Sequence, residues 1–93
     1  MACASEMRSY MGVKSLISLL YSHDTTVQAN AAGALFNCAA IEENASEIRA
    51  CNGIKLLVSL LSSESAEVQL NVLGCLFNCS LLGTVLSNKF YHF

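Results

Sequence analysis

The chain has 93 residues, 54% of them apolar, no proline, and seven acids against five bases for a formal charge of −2. That apolar share excludes a disordered chain, and the length allows one small domain that hides only part of its surface on folding and is therefore marginally stable. The bases Arg8, Lys14, Arg49, Lys55 and Lys89 are scattered along the chain, so they form no footprint for a phosphate backbone and nucleic acid is not an expected partner.

In chain order, Ala4 to Tyr10 reads as a short helix ending near Gly12, a helix stop. A second helix is expected over Val13 to Tyr21, where Val13, Leu16, Ile17, Leu19 and Leu20 lay an apolar stripe on one face and leave Lys14, Ser15 and Ser18 toward water. Ser22-His23-Asp24 is a turn, and Asp24 or Thr25 caps a third helix from about Thr26 to Ala40. Its buried side should carry Val27, Ala31, Ala34, Leu35 and Cys38, mostly small residues that let a neighbouring helix come close.

The chain then repeats itself. Sliding it by 41 residues lays Gly12 to Ala39 on Gly53 to Ser80 with 15 identities in 28 positions, and Ala4-Ser5-Glu6-Met7-Arg8 falls on Ala45-Ser46-Glu47-Ile48-Arg49. The expected organisation is a first unit over residues 1–41, a second over 42–82, and a non-repeating tail over 83–93. In the second unit Val68, Val72, Cys75, Leu76 and Cys79 take the buried places, and Glu64 or Ser65 supplies the turn chemistry. A fixed period of roughly 40 residues marks stacked helical units, none able to bury its apolar face alone. Val68 to Asn88 lacks charge over a length that could span a bilayer. Yet Gln69, Asn71 and Asn78 would then sit in lipid, and the matching stretch from Thr25 to Ile41 is too short, so a buried solenoid helix is expected and no membrane.

Gly-Val-Lys-Ser-Leu-Ile-Ser-Leu-Leu, a polar turn, then Val-Gln-Ala-Asn-Ala-Ala-Gly-Ala-Leu-Phe-Asn-Cys-Ala: this pattern resembles the armadillo repeat, and the likeness covers residues 2 to 82. HEAT repeats are close in kind, but three helices per unit and the paired asparagines favour armadillo. The resemblance implies an all-α, right-handed α-solenoid of two three-helix repeats with a short C-terminal tail. It also implies a groove lined by the third helices, with the groove asparagine at Asn37 and Asn78. An amide offers donors and an acceptor to the main chain of an extended peptide. Asn30 and Asn71, seven residues earlier, would lengthen that stripe, giving a peptide-binding set of Asn30, Asn37, Asn71 and Asn78. The competing reading is that these amides bridge adjacent repeats. Phe36 and Phe77 offer a partner patch or, on the plainer reading, fill the seam between helices. Gly33 and Gly74 stand where importin-α carries a tryptophan that clasps lysine stems, which removes the main support for nuclear-import cargo. Lys14 and Lys55 replace a proline that many armadillo repeats carry, leaving the turn to glycine alone, and Cys38 and Cys79 replace a leucine.

Five cysteines, Cys3, Cys38, Cys51, Cys75 and Cys79, with no basic start leading into an apolar run, point to a reducing compartment, the cytoplasm or nucleus. There the glycosylation patterns at Asn44-Ala45-Ser46 and Asn78-Cys79-Ser80 carry no meaning. Cys75 and Cys79 share a helical face, but His23 and His92 give no second ligand pair, so no metal is expected and no cofactor. Without a phosphate loop, a nucleophile elbow or a repeated acid beyond Glu6 and Glu47, which solvent explains, catalysis is not expected. The expected role is a non-catalytic scaffold holding a protein or extended peptide. Solenoids need about three units and capped ends, so the chain reads as a piece or short isoform of a longer protein, or as one whose ends are covered. Val85, Leu86, Phe90, Tyr91 and Phe93 could fold back as that cover; alternatively, copies pair through the open ends as a homo-oligomer.

Overall fold

The computed structural model describes residues 12–80, and every described element is helical. In order these are α1 (Gly12–Leu19), α2 (Thr25–Cys38), α3 (Glu42–Ala50), α4 (Gly53–Ser59) with a 3₁₀ extension at Leu60–Ser62, and α5 (Ala66–Cys79). The expected helix over Ala4 to Tyr10 and the expected cap from Val85 to Phe93 lie outside the described residues.

Helix α1 buries Val13 and Ile17, with Leu20 just past its end, while Lys14, Ser15 and Ser18 face water. Leu19 departs from the expected stripe and is 47% exposed. It follows Ile17 by two residues, about 200° around the helix, so it cannot share that residue's face. The helix closes on bonds from the Leu20 and Tyr21 amides to the Ile17 and Ser18 carbonyls, the tighter pitch common at helix ends. Asp24 then caps α2: its Oδ1 accepts from the Thr26 and Val27 amides at 2.8 and 3.3 Å. In the second unit Ser65 does the same through its hydroxyl, accepting from the Val68 amide at 3.2 Å.

The turn into α4 differs from the expected glycine stop. Gly53 is the first residue of α4 and no described glycine has positive φ; the left-handed residue is Asn52, at φ 63°. Asparagine tolerates that conformation better than other side chains. Gly53 is required for a different reason, since a Cβ there would lie 2.8 Å from Ile48 Cγ2 and 2.9 Å from its carbonyl oxygen.

The core joins both units. Leu20, Leu35, Ile48, Leu57, Val13, Val68 and Val72 are its largest fully buried apolar residues. The most extensive helix pair is α2 with α5, the third helices of the two units. Ala31, Leu35 and Cys38 on α2 and Val68, Val72, Cys75 and Cys79 on α5 are buried as expected, while Val27, Ala34 and Leu76 are half-buried. Ala29 and Ala32, absent from the expected set, are at 1% and 0% exposure. They form the small-residue bed on which α5 lies, which repeat periodicity alone does not reveal because α5 carries leucine at both matching positions.

Candidate functional site

Two side-chain bonds span the seam between third helices. Asn71 Nδ2 donates to the Ala29 carbonyl at 2.9 Å, and Asn78 Nδ2 donates to the Phe36 carbonyl at 3.1 Å. Both asparagines of α5 therefore bridge the repeats, the plainer of the two readings of these residues. Each still keeps a second N–H and its side-chain oxygen. Asn30 and Asn37 hold the matching positions on α2, and both are exposed. The four expected site residues thus divide into a bridging pair, Asn71 and Asn78, and a solvent-facing pair, Asn30 and Asn37.

The phenylalanines divide likewise. Phe36 reaches across the seam, so that a Cβ built on Gly74 would lie 2.5 Å from Phe36 Cε2. It is 38% exposed, whereas Phe77, the same residue one repeat on, is 63% exposed. Leu70 and Leu73 join Phe77 on the open face of α5, at 66% and 52% exposure. Their counterparts Ala29 and Ala32 are the residues α5 covers on α2.

Other polar groups serve the fold. Gln28 Nε2 donates to the Leu20 and Ser22 carbonyls, and Gln69 Nε2 to the Leu61 carbonyl; each amide ties its third helix to the end of the helix before it. The signal was present in the sequence, since Gln28 and Gln69 are one repeat apart and identical. Asn44 is fully buried and donates to the Cys38 carbonyl at 3.0 Å, closing α2 onto α3. Its glycosylation pattern is thus sealed inside the folded chain. Arg49 pairs with Glu42 and donates to the Cys79 carbonyl at 3.0 Å, joining both ends of α3 to the end of α5. Glu42, Glu43 and Glu47 line an open depression of about 580 Å³ on α3, away from the third helices. Glu47 is half-buried rather than solvated, beside the Cys51 thiol.

Cys38, Cys51, Cys75 and Cys79 are thiols rather than disulfide halves. The Cys75 thiol is pushed up because it bonds Cys79 and is buried; that bond, with Arg49 nearby, lowers Cys79; burial raises Cys38. Among the described residues no group of three or more His, Cys, Asp or Glu side chains is placed to hold a metal ion, and no helix is long and apolar enough to cross a membrane.

Helices that bury a shared face by stacking unit on unit, with side-chain bonds across the seam between units, define an all-α solenoid, two helices of the first unit and three of the second lying among the described residues. The family model for the armadillo/beta-catenin-like repeat matches residues 3–40 and 42–81, and the chain belongs to that family. No curated protein and no solved structure matches it. Armadillo repeats are in general non-catalytic modules that bind proteins or peptides.

Proposed function

We propose that the chain is a non-catalytic interaction module that takes an extended segment of a partner protein along its third helices, α2 and α5. The observation that carries this reading is the pair of exposed amides, Asn30 and Asn37, set two turns apart on α2. Such a spacing suits the main chain of an extended peptide, whose peptide groups repeat about every 3.3 Å. Asn78 extends the row with the N–H and oxygen that its bond to Phe36 leaves over. Nucleic acid does not suit this surface, because the described cations are Lys14, Arg49 and Lys55 and Arg49 is engaged by Glu42. We place the protein in the cytoplasm or nucleus, a reading supported by its described cysteines standing as thiols.

Selection of random extended peptides on the immobilised chain, followed by titration calorimetry, tests the reading. Asn37→Ala with Asn78→Ala removes two main-chain bonds of about 1 kcal/mol each, so affinity should fall roughly tenfold or more with the helical signal kept. Selected peptides that bind the double variant as tightly as the parent chain would sink the proposal.

A further inference from the structure

The internal seam is a template for a contact the chain can make a second time. Its parts are two amides on the incoming helix, Asn71 and Asn78; two carbonyls on the receiving helix, Ala29 and Phe36; and the Phe36 ring laid across Gly74. Every side chain in that set recurs one period away. Asn30, Gly33 and Asn37 on α2 copy the incoming face, and Phe77 on α5 copies the ring. The carbonyls of Leu70 and Phe77 hold the positions that match Ala29 and Phe36, and the Phe77 carbonyl also accepts from the Ser80 amide at 3.3 Å and the Ser80 hydroxyl at 2.9 Å. Among the described residues neither copied face is used in that way: Asn30 and Asn37 are exposed, and Leu70, Leu73 and Phe77 are 52–66% exposed where Ala29 and Ala32 are sealed.

We propose that a second copy of this chain docks its α2 on the open face of α5 in the register of the internal seam. Asn30 of the copy donates to the Leu70 carbonyl, Asn37 of the copy donates to the Phe77 carbonyl by displacing the Ser80 hydroxyl that bonds it, and the Phe77 ring lies against Gly33 of the copy. The occupant is a second copy because the Asn30, Gly33 and Asn37 face of α2 is the chemical complement of the open face of α5, and the same pairing already holds the two repeats together. Leucine replaces alanine at 70 and 73, which adds apolar area to the receiving face. The larger apolar area suits a contact between separate chains, which must offset lost translational freedom that a tethered repeat does not lose. The contact is heterologous and does not close, so copies add in series.

This inference does not rest on peptide binding. Sedimentation equilibrium of the full chain over a wide concentration range should show an average mass that climbs past the dimer without a plateau. Asn30→Ala with Asn37→Ala in one chain, and Phe77→Ser in another, should each give monomers with the parent circular dichroism. Mixed together, the two variants should form a dimer and nothing larger, since only one pair of intact faces remains. Should either variant lose helix, Asn37→Asp, which sets an oxygen against the carbonyl, and Phe77→Leu take their places. A mass fixed at the monomer throughout, or a dimer that plateaus and survives the variants at both ends, overturns the proposal. Peptide affinity measured on Phe77→Ser, which keeps all four asparagines, is read separately and stands or falls alone.

Discussion

Gly33 and Gly74 hold the same place in their repeats, yet a methyl group at each meets a different neighbour. At Gly33 it would press on Asn71 Nδ2 at 3.2 Å; at Gly74 it would strike the Phe36 ring at 2.5 to 2.8 Å. Alanine gains about 1 kcal/mol over glycine in a helix interior, and a bad contact costs a similar or larger amount. Gly74→Ala should therefore destabilise by about 1 kcal/mol, whereas the same change in a Phe36→Ala background should stabilise. Denaturant melts of the four chains check this, and equal effects in both backgrounds would show that the ring does not rest on Gly74. Asn52 carries a cost of another kind, its left-handed backbone at φ 63°. Asn52→Ala should lose about 1 kcal/mol and Asn52→Gly little or nothing. Of these special positions Asn52 contradicted the sequence reading, which gave the turn to glycine. The sequence shows a glycine after the helix but not whether its use is a left-handed φ or room for Ile48.

The helices themselves were legible, because their signals are local. Period, caps and turns placed α1 and α2 within two residues of their observed ends, and both third helices start from the oxygens of Asp24 and Ser65 as their side-chain chemistry requires. The pairing of helices was less so. Asn71 and Asn30 are the same residue at the same repeat position, but one crosses the seam to Ala29 and the other faces solvent. Asn71→Ala should cost about 1 kcal/mol, the net worth of the bond with some penalty for the Ala29 carbonyl left in the seam. Asn30→Ala should stay within about 0.5 kcal/mol when measured at concentrations where copies do not associate. Equal costs would mean that the bridge contributes nothing to holding the repeats together.

Across the two units together, the core is one continuous set rather than two, so a single large-to-small change should unfold both repeats in one transition. Leu57, fully buried in α4, is the position of choice: Leu57→Ala should cost about 2–5 kcal/mol, a large share of the stability of so small a domain. The thiols add a dependence on pH. Cys75 and Cys38 hold their protons above the ordinary value of 9.0, so the stability they contribute is complete below pH 9 and is lost as pH rises beyond it. Cys79, lowered by its bond from Cys75 and by Arg49, acts in the opposite sense and offsets part of that loss. The melting temperature should fall between neutral pH and about pH 10, and Cys75→Ala, which copies Ala34, should flatten the fall. An equally steep decline in that variant would move the cause to groups outside the seam.

The 41-residue duplication fixed the helical class, the stacking of units and the family before any coordinate, because periodicity, capping and turn chemistry act over a few residues and are written twice. Folding alone assigned duties to duplicated residues: Asn71 and Asn78 to the seam, Asn30 and Asn37 to solvent, Phe36 onto a glycine and Phe77 into water. The physical reason is that a side chain's partner in a solenoid belongs to the adjoining unit. Identical residues in successive repeats therefore have identical geometry but different neighbours.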